Sequence, residues 1–463
     1  MAEGTDETLR NQVMYQVYPR NHTEEGTFKA LEADLDRIRD LGVDIVYPLP
    51  VHPVGKKNRK GSLGSPYAAA DYRAVNPELG TAEDFAALVK AVHNRGMKCV
   101  MDIVYNHTAP DSWLAENHPE WFYRGPGGSP GNKIGEWWDV IDLDYSDPRS
   151  GLWDYQIETL VKWAKLVDGF RCDVAPLVPL EFWLRAREAV RAVNPRCFWI
   201  AESVEPSFIL ENRAAGLVCH SDGEMFRSFD VCYDYDVFGF FKQYLEGALS
   251  LASYAEKLNA QEYLYPDNYV KLRCLENHDQ SRAAFSIPGA AALRNWTAFV
   301  YFQKGLTMIY AGQEWACGFR PSLFEKDPVK RDTGADLSPL LRVLYRIKKD
   351  PVFTSSAYEL RPLPGIAGGG PAPDNGVLLA VHRPKGRANG EAVPMAGVFS
   401  LKGWSGPVQL NGSFTEPVPD GVYVNLIDGS AFPVEGGRLS LRGEPLIFKV
   451  RPEKPAAAVP AGE

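Results

Sequence analysis

The sequence predicts an α/β protein: a (β/α)8 barrel with a short excursion after its third strand and a C-terminal antiparallel β-sandwich domain. Three observations predict it. Between residues 10 and 350, short apolar runs alternate with segments of helical period eight times. Several of these runs end in carboxylates or histidines, at the strand ends where the loops of a parallel barrel converge. After Asp350-Pro351 the helical period disappears, and short alternating runs punctuated by Gly and Pro replace it. The expected domains are therefore the barrel at 10–107 and 149–350, the excursion at 108–148 and the β domain at 351–452. The Pro/Ala-rich tail at 453–463 is expected to be disordered.

In chain order, the first strand is expected at 14–18. A helix follows over 28–41, where Phe28, Leu31, Leu35, Ile38 and Leu41 keep helical spacing and Gly42 stops it. The second strand is 43–49, and a loop rich in Gly, Pro and Lys occupies 50–66. Thr81-Ala82-Glu83-Asp84 reads as a helix cap, opening a helix that runs to Arg95-Gly96. The third strand is 98–105. From 108 to 148 periodicity fails and Gly, Pro and Trp accumulate, as in a functional excursion. Helix 152–167, strand 169–174, helix 180–193 and strand 197–201 follow, then a helix at 208–215. Strand 228–233, helix 237–245, a turn at 253–258 and strand 270–275 come next. Helix 290–303, strand 306–310 and helix 338–349 complete the barrel.

Composition narrows the partners. The 463 residues carry a net charge of −9, which argues against nucleic-acid and anionic-membrane partners, both of which need a basic surface. Seven cysteines are scattered without a C-x-x-C pair and read as buried thiols of a reducing compartment. The acidic start, Met1 to Glu7, has no apolar core of a signal peptide, and no apolar run is long enough to span a bilayer, so a cytoplasmic protein is expected, with a secreted form whose signal has been removed as the alternative; a monomer is expected. Trp, Tyr and Phe reach 12%, which suits either a large core or a cleft that stacks flat rings.

Four strand ends carry the candidate chemistry: Asp102-Ile103-Val104-Tyr105-Asn106-His107, Gly169-Phe170-Arg171-Cys172-Asp173, Ala201-Glu202 and Glu276-Asn277-His278-Asp279. Arg171 lies two residues before Asp173, on the same face of a strand, so it can keep that carboxylate ionised. A third carboxylate near Glu202 disfavours its ionisation, as an acid catalyst requires. Any single Asp near a strand end more often caps the next helix; four such ends together outweigh that reading.

These four motifs, in this order and spacing, resemble the α-amylase family (glycoside hydrolase family 13). The resemblance implies a retaining hydrolase of α-1,4-glucosidic bonds in starch and maltooligosaccharides. Asp173 would be the nucleophile, Glu202 the acid and base, and Asp279 the group that holds the hydroxyls of the distorted sugar. Substrate binding would fall to Tyr67, Asp102, His107, Arg171 and His278. No cofactor is needed for that chemistry. A structural Ca2+ is implied at Asn106 with Asp142 or Asp144, although an Asn before His serves equally to tie down a loop. Trp137-Trp138 reads equally as excursion core. Rival readings are an exo-α-glucosidase, a cyclomaltodextrinase or neopullulanase, a 4-α-glucanotransferase, and a non-catalytic glucan-binding or scaffold subunit. The intact Asp173, Glu202 and Asp279 oppose the last. Val174-Ala175-Pro176-Leu177 lacks the Lys-His pair that many members carry after the nucleophile. The short excursion, the Gly/Pro-rich 125–131 and the solvated lysines expected in 53–64 (Lys56, Lys57, Lys60) predict an open groove and endo attack; Gln280-Ser281-Arg282 resembles the exo branch.

Overall fold

In a computed structural model, the described residues are 4–125, 127–363, 366–367, 370–371, 374–385, 393–410 and 418–451. The tail at 453–463 lies outside them. The described residues form a closed barrel of eight parallel strands: β1 (Val13–Val17), β2 (Ile45–Pro48), β3 (Lys98–Ile103), β4 (Gly169–Cys172), β5 (Phe198–Ala201), β6 (Val231–Tyr233), β7 (Val270–Arg273) and β8 (Leu306–Tyr310). Neighbours follow chain order around the ring, and β8 closes on β1. The strands are buried on both faces, so the interior is packed and only the loops at their C-terminal ends are open for chemistry.

Helices follow each strand. After β1 come α1 (Phe28–Ala33) and α2 (Leu35–Asp40). One helix was expected there; the chain breaks at Asp34 because that carboxylate is committed to His22 and Arg37 instead of to a helical turn. After β2 comes α3 (Ala82–Asn94), opened by the expected cap: Thr81 Oγ1 accepts from Asp84 N at 3.1 Å, and Asp84 Oδ2 from Thr81 N at 3.0 Å. The next are α4 (Leu152–Ala164), α5 (Leu180–Arg191), α6 (Pro206–Ala214), α7 (Tyr235–Leu245), α8 (Leu251–Leu264), α9 (Ala290–Phe302) and α10 (Ser338–Lys348). The turn expected at 253–258 is thus a 14-residue helix. Its weak amphipathic pattern hid it, and Ser250 caps it by accepting from Ser253 N.

The excursion is not structureless. A two-residue strand, His107–Thr108, pairs antiparallel with Ile141–Asp142, and Trp113–Asn117 is helical. Beyond the barrel, β9 (Ser356–Pro362), β10 (Val377–Pro384), β11 (Met395–Ser400) and β16 (Leu446–Lys449) form an antiparallel sheet in the order β9-β10-β11-β16. Between β11 and β16 lie β12 (Ser405–Gln409), β13 (Gly421–Val424), β14 (Ala431–Val434) and β15 (Arg438–Arg442); β12 pairs with β15 and β13 with β14. Alternation along β10 divides the sheet between two cores. Leu378 and Ala380 pack toward the barrel, while Val377, Leu379 and Val381 join Val408, Val434 and Leu439 in a second core. Among the described residues no helix is long and apolar enough to cross a membrane.

Candidate active site

Asp173 and Glu202 extend their strands by one hydrogen bond each: Asp173 N donates to Ile103 O at 2.8 Å, and Glu202 N to Cys172 O at 3.0 Å. The ladder therefore fixes both carboxylates at the barrel mouth. Arg171, fully buried on β4, meets three carboxylates at once. Its Nη1 reaches Asp102 Oδ1 at 2.9 Å and Asp173 Oδ1 at 3.0 Å, and its Nη2 reaches Glu202 Oε1 at 2.5 Å. Glu202 Oε2 accepts from Val174 N at 2.8 Å. Val174 adopts φ +34, a left-handed conformation that a β-branched residue avoids, so the backbone is strained beside the two carboxylates.

The acid–base balance follows from burial before charge. Burial raises Glu202, with the Asp279 charge adding to it against Arg171. The sequence reading credited the third carboxylate; burial is the larger cause. Burial also raises Asp173, Glu202 raises it further, and Arg171 opposes both. Asp279 is different. Burial would raise it too, but His278, Arg171 and Arg320 outweigh that and hold it below the usual carboxylate range. Two carboxyls raised beside one lowered is the separation that acid–base chemistry needs.

Around these groups the expected binding residues take distinct places. Tyr67 is half-buried, stacked on the His278 ring at 5.2 Å between centroids. His278 Nε2 lies 2.6 Å from the Tyr67 hydroxyl and 3.0 Å from Asp279 Oδ2. The Gln16 amide nitrogen sits 3.0 Å from Nδ1, so both ring nitrogens have polar partners. Asp102 is fully buried; its oxygens take Arg171, Tyr47 at 2.6 Å and Tyr67 at 3.0 Å, so it braces the site from behind. His107 is buried, and burial pushes it down to about 4, with Lys60 adding to that against Asp139. It is neutral at pH 7, with Asn106 Nδ2 against Nδ1 at 3.2 Å and Nε2 3.8 Å from Asp173 Oδ2. Sequence reasoning missed Gln16, Tyr47 and Arg320; the last donates to Asp279 O at 3.0 Å. Arg282 is buried on Glu276 Oε1 at 2.6 Å and Ala311 O at 2.9 Å, tying the loop after β7 to the end of β8.

Of Asn106, Asp142 and Asp144, the first two lie side by side and the third faces its own turn. Asp142 Oδ1 takes Asn106 Nδ2 at 3.4 Å, and its Oδ2 takes Lys133 N at 2.7 Å. Asp144 closes its own turn by accepting from Ser146 N at 2.9 Å. Among the described residues no group of three or more His, Cys, Asp or Glu side chains is placed to hold a metal ion. The cation nearby is Lys60, whose Nζ pairs with Asp139 Oδ1 at 2.8 Å. Trp137 packs on the small apolar cluster of Ala68, Ala109 and Val140, while Trp138 is 54% exposed. A cleft of about 1010 Å3 lies at the other end of the barrel beside Lys98, Val167 and Cys197, and none of the three catalytic candidates lines it. Converging carboxylates, not cleft size, mark the site.

The family model described as "Alpha amylase, catalytic domain" matches residues 13–127, and "Bacterial Alpha amylase C-terminal domain" matches 371–448. The structure of an alpha-amylase from Lactobacillus plantarum is 43% identical, with a TM-score of 0.88 over 96% of this chain and 99% of that one. A noncanonic maltogenic alpha-amylase from Thermotoga neapolitana is 32% identical, with a TM-score of 0.81 and the same coverage, 96% and 99%. An alpha-1,4-glucan:maltose-1-phosphate maltosyltransferase from Myxococcus xanthus is 31% identical over 220 residues, 42% of this chain and 33% of that protein. Its counterpart from Rhodospirillum rubrum is 36% identical over 212 residues, 41% and 31%. The chain thus spans about a third of the length of these curated relatives.

Proposed function

The chain belongs to the α-amylase family, and from that premise we propose that it is a retaining hydrolase of α-1,4-linked glucose chains. The single observation that carries this reading is the Arg171 fork, which holds Asp173 and Glu202 on adjacent nitrogens of one guanidinium. Retaining chemistry needs two carboxyls about 5–5.5 Å apart, one ionised and one protonated. With one proton between them, Glu202 donates it to the glycosidic oxygen as the C1–O bond breaks, and an Asp173 oxygen bonds to C1. Arg171 then faces the ionised Glu202, which takes a proton from water as water displaces the Asp173 ester. Asp279, kept ionised by His278 and Arg320, accepts from sugar hydroxyls, and His107 donates from Nε2. Tyr67, on His278, offers a flat face to the sugar ring.

The test is incubation with soluble starch and maltoheptaose, following new reducing ends and their anomeric form. The expected products are α-anomers at first release, and Asp173→Asn lowers turnover by roughly 10⁴-fold or more while the protein stays folded. First-formed β-anomers would exclude a double displacement at Asp173. A second reading, glycosyl transfer, is favoured by the match to the maltosyltransferases. The same incubation with maltose 1-phosphate separates the two: glucan elongation in place of new reducing ends supports transfer.

A further inference from the structure

In the stretch 53–64, after β2, Lys56 and Lys57 point to solvent as expected, but the backbone that carries them is fastened on both sides. Toward the excursion, Lys56 N and Lys57 N both donate to Asp111 Oδ2, at 2.9 and 3.0 Å. The Lys60 ammonium pairs with the buried Asp139 and lies 5.4 Å from the centre of the Trp138 ring. Gly55 permits the approach, since a Cβ there would stand 2.2 Å from that of Ala109. Toward the loop after β8, Ser62 N donates to Glu325 Oε1 at 2.7 Å and Leu63 N to Phe324 O at 3.0 Å. Gly61, at φ +64, lets the two backbones touch; a Cβ would lie 2.8 Å from the Phe324 carbonyl oxygen. Arg20, just after β1 and 1% exposed, donates to Gly64 O at 3.1 Å and Leu323 O at 3.2 Å. The loops after β1, β2, β3 and β8 are thereby laced into one wall.

The wall has a definite side. In the closed ring β1 stands opposite β5, and Glu202 leaves β5. The strap runs almost directly into Tyr67, which stacks on His278. On the Glu202 side α6, after β5, buries only Asn212, and the Glu205–Lys242 pair that ties its start to α7 is itself partly exposed. This step rests on the reading of Glu202 as the acid. The leaving group must lie on the Glu202 side, so the donor part of the glucan points toward the wall. We propose that the wall closes the donor end of the cleft, so that the enzyme takes α-glucans by their non-reducing ends and releases short products from them. Backbone fastened from four loops cannot move aside for a long chain, and a blocked end discriminates by clash.

The experiment uses the full chain and two nitrophenyl maltoheptaosides, identical except that one carries an ethylidene acetal on its non-reducing glucose. Products are resolved by chromatography. The free substrate is expected to be cut and the blocked one to give no product above the blank. Equal cleavage of both would overturn the proposal while leaving the hydrolase reading intact. Cleavage of neither would overturn that reading, and this one with it. A double variant, Lys60→Ala with Glu325→Ala, removes a fastening on each side of the strap without touching the catalytic groups. It is expected to gain cleavage of the blocked substrate at a near wild-type rate on the free one; no gain would show that the strap is not the barrier.

Discussion

Arg171 meets Asp102, Asp173 and Glu202 at once, so a proton gained or lost by Asp173 or Glu202 is felt through one guanidinium. This sets the prediction at Glu202. Glu202→Gln removes the acid without changing volume, and turnover of ordinary oligosaccharides is expected to fall about 10²–10⁴-fold. Glycosyl fluorides, whose leaving group needs no proton, are expected to keep most of their glycosylation rate in pre-steady-state measurements. Equal loss on both substrates would remove Glu202 from the acid's role. At this scale the sequence displayed what sits at strand ends: Asp173, Glu202, His278 and Asp279 stand where an apolar run stops. It hid what sits inside the runs. Tyr47 reads as core within Ile45–Pro48, and the only sign of Gln16 was one amide in an otherwise apolar strand. Arg320 had no sign at all, because a loop residue meets Asp279 through the closure of β8 on its neighbours and not through spacing.

At the scale of elements, period and caps carried most of the reading. The cap at Thr81 and Asp84 and the eight apolar runs are local, and local physics places them. Contacts between loops are not local, and the reading of 53–64 missed one: Lys56, Lys57 and Arg59 are exposed as expected, but Lys60 is 25% exposed because Asp139, far along the chain, draws it in. Gly61 supplies the check. Gly61→Val places a branched side chain at φ +64 against the Phe324 backbone, which costs about 1–3 kcal/mol of local strain. The expected result is a lower melting temperature together with new proteolytic cutting within 56–60. A variant as resistant and as stable as wild type would mean that the strap is not seated on the loop after β8.

For the whole molecule, the change of period after Asp350 announced the second domain, but not how its sheet divides two cores; both faces of β10 are apolar, so alternation was invisible. His382 marks that junction. It is buried between Ser356 Oγ at 2.7 Å and Phe302 O at 2.7 Å, and burial pushes it down to about 3 from the ordinary 6.5. Its folded value lies below its unfolded one, so its contribution is complete above pH 6.5 and is lost as pH falls toward 3. Melting temperature is expected to fall through that window. In His382→Gln, which cannot titrate, the slope is expected to be shallower by up to about 1.4 kcal/mol per pH unit. Identical slopes would place the acid sensitivity elsewhere. The mouth of the barrel is equally lopsided: four loops fastened together on the Tyr67 side, and beyond Glu202 a helix that buries one residue. In evolutionary terms, that divides the molecule's inheritance. Substitutions in the four fastened loops are expected to cost stability, whereas those beyond Glu202 are expected to cost little, so on the reading proposed above new acceptors could be tried without unmaking the chemistry.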